Sequence, residues 1–192
     1  MNHSKLFNLI LLLLLAFSFY SQEEKRLALV IGNANYDKGA LKNPVNDALL
    51  IASTLEHLNF DVILDTNLNT KRAFRNKIIE FGEKRPSYDV AFVYYAGHGV
   101  QINNQNYLLP TKEEFNSEDD VVEMGGVSVQ MIIKFLTKIT DQVNVLILDA
   151  CRDNPFEKEW NTTRSIGSSG LAKMQAPSGS MIAFSTTAGN TA

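Results

Sequence analysis

The chain has 192 residues, which suits one domain with a well-covered core, and 45% of them are hydrophobic while 20% are charged. These proportions are typical of a globular protein. The formal net charge of -3 provides no signal for polyanion binding, so we expect no nucleic-acid partner. The chain has one cysteine, Cys151, which excludes an internal disulfide and leaves a thiol that is buried, paired between molecules or chemically active.

The first residues have the pattern of a secretory signal peptide. Lys5 precedes an apolar run over residues 6–19, which small and polar residues follow. The run has about fourteen residues, whereas a membrane-spanning helix needs roughly twenty. We therefore predict a signal peptide over residues 1–22, export to the periplasm or medium, and a domain over residues 23–192 without a stable membrane span. An uncleaved N-terminal anchor is the alternative.

From residue 27 onwards, apolar runs alternate with amphipathic segments, which is the pattern of parallel strands joined by helices. Helical patterns open at Asn43-Pro44, at Thr70 and at Ser128. We predict an α/β fold, a three-layer α/β/α sandwich with a mostly parallel central sheet. The predicted strands are the apolar runs at 27–31, 60–64, 90–95, 143–148 and 181–184.

Two stretches, 101–126 and 156–180, are predicted to be irregular because they are rich in polar residues and glycine. Each follows a candidate catalytic residue. Loops that leave the carboxyl ends of parallel strands commonly bind ligands, so these stretches are expected to shape a substrate cleft.

His98 lies between Gly97 and Gly99, directly after a predicted buried strand. We expect an exposed position there, because flanking glycines allow the backbone to turn sharply. An imidazole exchanges protons near neutral pH, which suits a general acid and base. By itself the motif is equally consistent with an ordinary loop histidine.

Cys151 also follows a predicted strand, and a free cysteine is most often a small buried hydrophobe. If the two strands are parallel, their carboxyl ends share one edge, where neighbouring strands lie about 4.8 Å apart. His98 can then take the thiol proton and create a nucleophilic thiolate. The N–H groups beside Gly99 and Cys151 are available to bind the oxyanion. No zinc-ligand spacing and no phosphate-binding loop is present in the sequence, which disfavours metal and nucleotide enzymes.

The motifs together resemble the caspase-like peptidases of the caspase and metacaspase clan. The cysteine follows the histidine by 151 minus 98, or 53, residues, as in that family. The resemblance implies a fold of the caspase-haemoglobinase type, a dyad of His98 and Cys151, an oxyanion hole from Gly99 and Cys151, a protein or peptide substrate, and no required cofactor. The resembling segments are LALVIGN at 27–33, PVNDA at 44–48, YAGHG at 95–99, DACR at 149–152 and MIAFST at 181–186.

The resemblance also bears on specificity. Animal caspases bind an acidic P1 residue with arginines, whereas metacaspases and their bacterial relatives bind Arg or Lys with acidic groups. Asp149 stands two residues before Cys151, on the same side of an extended strand, and Asp47 matches the second acidic pocket residue of metacaspases. We therefore expect cleavage after Arg or Lys. The alternatives are that Asp47 favours a helix N-terminus and that Asp149 caps a turn.

The family domain normally continues beyond the strand near residue 181. We therefore interpret the chain as the large-subunit, p20-like region of a bacterial caspase-family protein, truncated at its C-terminus. Arg164 and Lys173 are hypothetical autoprocessing sites. Calcium activation is not predicted, because acidic runs are usually solvated. The acidic residues that would supply calcium ligands are Glu118, Asp119, Asp120 and Asp153.

Two readings without peptidase activity stay open. One is a catalytically silent caspase-fold interaction module, which the presence of both His98 and Cys151 disfavours. The other is a flavodoxin-like domain for a small ligand. It would need a phosphate-binding loop after the first strand, where residues 32–36 contain one glycine.

Overall fold

The computed structural model describes residues 24–138, 142–151 and 171–185, with Cys151 described as backbone. A 3₁₀ turn at Arg85–Ser87 and a π-helical turn at Asp120–Gly125 accompany the main elements. In chain order those elements are β1 (Arg26–Gly32), α1 (Pro44–His57), β2 (Phe60–Thr66), α2 (Lys71–Lys84), β3 (Val90–Ile102), β4 (Gln105–Leu108), β5 (Val127–Ser128), α3 (Val129–Leu136), β6 (Val143–Cys151) and β7 (Ser180–Phe184).

Five of these strands form a parallel sheet in the order β2-β1-β3-β6-β7. β3 has 13 residues and extends beyond its parallel neighbours. Its last residues pair antiparallel with β4, which in turn pairs antiparallel with β5. The predicted α/β fold with a mostly parallel sheet is thereby confirmed.

The three helices within the described residues begin where the sequence predicts. Pro44 occupies the first turn of α1, where its missing N–H costs no hydrogen bond. The Thr70 hydroxyl accepts a hydrogen bond from the Ala73 N–H at 3.2 Å and caps α2. The Ser128 hydroxyl accepts from the Gln130 N–H at 3.3 Å and caps α3.

The helices lie on both faces of the sheet and make three layers. α1 packs Ala48 and Ala52 against one face, together with Tyr94 of β3. α2 and α3 pack against the opposite face, where Phe74 of α2 meets Tyr95 of β3. Because neighbouring residues of a strand point to opposite faces, Tyr94 and Tyr95 belong to different layers of the core.

α1 approaches the end of β1 very closely. A Cβ atom on Gly32 would lie 2.4 Å from the Pro44 carbonyl oxygen and 2.7 Å from the Ala48 Cβ. A residue without a side chain is therefore required at that contact. The close approach brings the first turn of α1 to the carboxyl edge of the sheet.

The prediction that residues 101–126 are irregular is wrong in part. This stretch contains the end of β3, all of β4 and the π-helical turn. Asn103 and Asn104 join β3 to β4 with φ angles of 49° and 62°. Asparagine tolerates positive φ, so two consecutive asparagines form a tight hairpin turn without glycine.

Several sequence predictions lie outside the described residues, namely the signal peptide over 1–22, Arg164, Asp153 and most of the stretch 156–180. Of its described part, 171–180, residues 171–179 have no helix or strand, as predicted, and Ser180 already begins β7. Within the described ranges, no helix combines the length and apolar character needed to cross a bilayer.

Candidate active site

β3 and β6 bring the two candidate catalytic residues side by side. The strands are parallel neighbours, and their backbone register pairs His98 with Cys151. Two residues earlier, Ala96 pairs with Asp149. Because the two strands are parallel neighbours, the two motifs meet at one edge of the sheet.

His98 is buried, with 3% of its surface exposed, so the expected exposed position is wrong. Burial arises because β3 continues as a strand through the glycines rather than turning, and β4 pairs with the continuation. The imidazole Nε2 lies 2.6 Å from the Gly39 carbonyl oxygen. Since a carbonyl oxygen only accepts, Nε2 must carry the proton in this contact. In the neutral ring, Nδ1 is then the nitrogen with a proton-accepting lone pair.

Two tyrosines contact the backbone of His98. The Tyr36 hydroxyl accepts a hydrogen bond from the His98 N–H at 2.9 Å, and the Tyr95 hydroxyl donates to the His98 carbonyl at 2.7 Å. Burial raises the pKa of Tyr36 to about 12 and also raises the pKa of Tyr95. Both phenols therefore keep their protons throughout the neutral pH range.

Gly97 makes room for these hydroxyls. A Cβ atom at this position would lie 2.5 Å from the Tyr95 hydroxyl and 2.7 Å from the Tyr36 hydroxyl. Its φ of 155° is also a backbone conformation that favours glycine. Gly97 therefore leaves the space in which the two tyrosine hydroxyls reach the backbone of His98.

Gly99, the predicted oxyanion-hole residue, lies in β3 opposite Leu108 of β4. A Cβ atom there would be 3.1 Å from the Ala150 Cβ and 3.1 Å from the Leu171 Cδ2. Gly99 therefore packs closely against the residue that precedes Cys151. The arrangement places the two predicted oxyanion donors on adjoining stretches of β3 and β6.

Both candidate pocket carboxylates influence the Tyr94 phenol, Asp149 through a hydrogen bond and its charge, and Asp47 through its charge. The Tyr94 hydroxyl donates to an Asp149 carboxylate oxygen at 3.1 Å. Burial raises the pKa of Tyr94, and the charges of Asp149 and Asp47 raise it further. Asp47 lies in the first turn of α1, a position that also agrees with the alternative that it favours the helix N-terminus. Both carboxylates are only partly buried and so keep some access to solvent.

Sequence reasoning missed Gly39 and the three tyrosines. Tyr94 and Tyr95 stand in an apolar run whose pattern predicts only a core strand, and Tyr36 lies in the loop after β1, whose single glycine argues only against phosphate binding. For Tyr94 and Tyr95 the available signal was a polar ring tip four and three residues before the histidine, whereas Tyr36 is 62 residues away and had no such signal. Buried tyrosine hydroxyls usually find a hydrogen-bond partner, so such tips point to nearby polar groups.

Among the described residues, no group of three or more His, Cys, Asp or Glu side chains is placed to hold a metal ion. The Asp120 carboxylate instead accepts from the backbone N–H groups of Asn116 at 2.8 Å and Ser117 at 3.2 Å. It therefore stabilises its own turn. Asp153, the remaining residue considered for calcium, lies outside the described ranges.

A protein-family model described as the caspase domain matches residues 25–192. The chain belongs to the caspase-domain family. Human mucosa-associated lymphoid tissue lymphoma translocation protein 1 is 31% identical to this caspase-like chain over 130 residues, and its mouse homolog is 29% identical over 130 residues. Each alignment covers 66% of the chain and 15% of the relative, so the chain spans a small part of these relatives.

Solved structures agree with the fold. The Drosophila initiator caspase Dronc has a TM-score of 0.55 at 11% identity, covering 84% of this chain and 55% of the other. A Geobacter sulfurreducens protein has a TM-score of 0.52 at 18% identity, covering 66% of this chain and 50% of the other. At these identities the likeness establishes the fold, and it agrees with a caspase-like peptidase region.

Proposed function

We propose that this caspase-domain chain is a cysteine endopeptidase in which Cys151 is the nucleophile and His98 is the general acid and base. One observation carries the proposal: the register that pairs His98 with Cys151 on neighbouring parallel strands. The Nε2 contact with Gly39 supports it, because it leaves Nδ1 as the proton-accepting nitrogen. Family membership agrees with a protein or peptide substrate.

The proposed reaction proceeds in two stages. His98 Nδ1 takes the proton of the Cys151 thiol, and the thiolate attacks the scissile carbonyl carbon to form a tetrahedral intermediate. The N–H groups of Gly99 and Cys151 donate to the oxyanion. The C–N bond then breaks, and the imidazolium gives its proton to the departing amine. A water molecule, deprotonated by His98, hydrolyses the resulting thioester and regenerates the thiol.

The proposed substrate has Arg or Lys at P1. Asp149 accepts a hydrogen bond from the Tyr94 hydroxyl, and the charge of Asp47 is close enough to raise the pKa of Tyr94. Two carboxylates therefore lie near Tyr94, on the α1 face of the sheet close to its carboxyl edge. A cationic side chain is the natural partner for two partly exposed carboxylates. Tyr94 supports this role, because a phenol that stays protonated donates to Asp149 and holds its carboxylate in place.

The first test compares the full chain with the Cys151→Ala and His98→Ala variants on matched peptides that end in Arg, Lys or Asp. Cys151→Ala is expected to be inactive, and His98→Ala is expected to lose about 10²–10⁴-fold in kcat/KM. His57→Ala is the matched control, because His57 is an exposed histidine at the end of α1. Equal turnover by wild type and Cys151→Ala would refute the nucleophile assignment.

The same peptides test the acidic pocket. Asp149→Asn and Asp47→Asn are expected to lower kcat/KM for Arg peptides by about tenfold, because a partly exposed charge pair is lost on binding. Asp61→Asn is the matched control: Asp61 also accepts a hydrogen bond from a tyrosine, Tyr88, at 2.6 Å, but lies in β2. A preference of the wild type for Asp over Arg would contradict the basic specificity while leaving the dyad intact.

A further inference from the structure

We propose that Tyr36 and Tyr95 form a clamp on the backbone of His98 that keeps its imidazole in position for proton transfer. Both tyrosines are then positioning residues, which act on the reaction only through His98. The inference rests on the proposed role of His98. It goes beyond that role by assigning a function to two phenol hydroxyls whose described hydrogen bonds reach neither the pocket carboxylates nor β6.

The hydroxyl contacts of the two phenols allow a hydrogen-bonded loop through the backbone of His98. Tyr95 has a single hydroxyl proton, and its shortest contact is with the His98 carbonyl oxygen at 2.7 Å. Tyr36 accepts from the His98 N–H, so its own proton is available to Tyr95 or to the Leu109 carbonyl, both at 3.2 Å. When Tyr36 donates to Tyr95, the loop begins at the N–H of His98 and ends at its carbonyl; in either arrangement the two phenols bind both polar backbone groups of this residue.

The clamp also reaches the imidazole itself. The Tyr36 ring lies against the His98 ring with centroids 4.4 Å apart and planes tilted by 59°. Gly39, whose carbonyl accepts from Nε2, lies three residues after Tyr36 in the same loop. The hydrogen bond between the Tyr36 hydroxyl and the His98 N–H therefore fixes the loop next to the histidine. The same loop supplies the carbonyl acceptor for Nε2 and the Tyr36 ring that packs against the imidazole.

The phenol oxygens are not needed to fill the core. Tyr95 is 1% exposed and stacks on Phe74 with ring centroids 5.7 Å apart, a packing role that a phenylalanine ring would fill equally well. Burying a hydroxyl costs free energy unless its hydrogen bonds are made. The contacts of the Tyr95 oxygen are with Tyr36, His98 and Leu109, so its described hydrogen bonds all belong to the histidine site.

Rigid placement of a proton-transfer group matters because displacements of about 1 Å can lower a rate by as much as 10²-fold. A clamp on the backbone acts on the position of the ring and not on substrate binding. Its loss is therefore expected to lower kcat and to leave KM nearly unchanged. It is also expected to weaken the pairing of imidazolium with thiolate, which the reactivity of Cys151 reports without any substrate.

The test uses Tyr36→Phe and Tyr95→Phe in the full chain, with Tyr107→Phe as the matched control. Tyr107 is also buried, and its hydroxyl donates to the Gln105 side chain at 3.1 Å, away from His98. The readouts are kcat and KM on an Arg peptide, the pH midpoint of Cys151 alkylation by iodoacetamide, and circular dichroism to establish folding.

Tyr36→Phe is expected to lower kcat about tenfold with KM within about twofold, and to move the alkylation midpoint to higher pH. Tyr95→Phe is expected to shift both readouts in the same direction by less, because the Leu109 N–H still donates to the His98 carbonyl at 3.0 Å. Tyr107→Phe should match the wild type in both. Folding of each variant is checked before its readouts are compared.

The clamp is overturned if folded Tyr36→Phe and Tyr95→Phe match Tyr107→Phe in kcat and in alkylation midpoint; inactivity of Cys151→Ala would then still support the dyad. If activity does not depend on Cys151, the proposed function fails, and the alkylation midpoint alone decides about the clamp. If Tyr36→Phe does not fold, Tyr95→Phe decides by the same two readouts. A loss of stability with unchanged kcat per folded molecule also overturns the proposal.

Discussion

The parallel sheet carries a buried polar network at its amino edge, where the strands begin, and another at its carboxyl edge, where they end. The two networks differ in the groups at which their hydrogen bonds terminate. At the amino edge, Arg85 is 1% exposed and donates to the Asn144 side-chain oxygen at 2.8 and 3.2 Å and to the Tyr88 carbonyl. At the carboxyl edge, the tyrosine clamp holds His98. Eight residue steps of β3, from Val90 to His98, separate the edges by about 26 Å.

A buried polar network by itself therefore does not identify a functional site, since it can serve only to stabilise the fold. The donors of Arg85 end on an amide and on backbone carbonyls of the same chain, so this network closes on itself. The carboxyl edge adds a group that exchanges a proton and carboxylates that stay partly exposed. The carboxyl edge thus combines its buried network with groups that can act on an incoming ligand.

The largest effect is expected from breaking the amino-edge network. Arg85→Leu removes the charged donor and leaves the buried Asn144 oxygen without these hydrogen bonds, so the free energy of unfolding should fall by about 3 kcal/mol. Urea denaturation measures this change. Because the substitution lies at the other edge, kcat per folded molecule should be unchanged.

Lys84→Met is the matched control for Arg85→Leu. Lys84 precedes Arg85 in the chain, and its side chain is half exposed in a surface ion pair with Glu80. Its loss should change the free energy of unfolding by less than about 1 kcal/mol. A similar effect of both variants, or a large loss of kcat in folded Arg85→Leu, would contradict the division between a structural and a functional edge.

Alkaline pH should weaken the carboxyl edge through Tyr36. The pKa of Tyr36 is raised from 10.0 to about 12 by burial, so the folded chain holds this proton more tightly than the unfolded chain does. The stabilisation is therefore complete below pH 10 and is lost as pH rises from 10 towards 12. Two pKa units correspond to about 2–3 kcal/mol in the free energy of unfolding.

Urea denaturation at pH 9 and at pH 11.5 measures this loss in wild type and in Tyr36→Phe. The wild type is expected to lose more stability over this interval than the variant, which lacks the ionising phenol. Both chains are measured at the same two pH values, so the contribution of the other titrating groups, which they share, cancels when their losses of stability are compared. Equal losses in the two chains would show that the Tyr36 proton does not stabilise the carboxyl edge.

The smallest effect is expected at the pocket. Tyr94→Phe removes the hydrogen bond to Asp149 and should lower kcat/KM for Arg peptides by about three- to fivefold, the effect of one modest hydrogen bond. The loss should lie mainly in KM, because the carboxylate is loosened and the dyad is left in place. Tyr107→Phe is again the control, and an equal response of both variants would exclude a role of Tyr94 in the pocket.

Much of the architecture was predictable because local patterns determine it. The apolar runs gave β1, β3 and β6, and capping residues such as Thr70 and Ser128 placed the helix starts. The hairpin of β4 was missed because its turn has two asparagines and no glycine, and because its four residues carry little periodicity. Short elements stabilised by pairing with a neighbour leave a weak signal in the sequence.

For the site, the residue types and spacing identified His98 and Cys151 as a pair, but the burial of the histidine was predicted wrongly. Burial depends on β3 continuing through two glycines and on its pairing with β4, which is a long-range contact. The tyrosine clamp was equally out of reach, because Tyr36 and His98 are 62 positions apart in the chain. No local pattern connects their hydroxyl and N–H groups.

The sequence alone determined the alternation of strands and helices and the chemistry available at two strand ends, because hydrophobic periodicity and residue type are local properties. The tertiary structure decided which strands are neighbours, the register of His98 with Cys151, and the set of hydroxyls around the histidine backbone. These depend on chain segments that meet only after folding, where burial removes water and each polar group must find its partner within the protein.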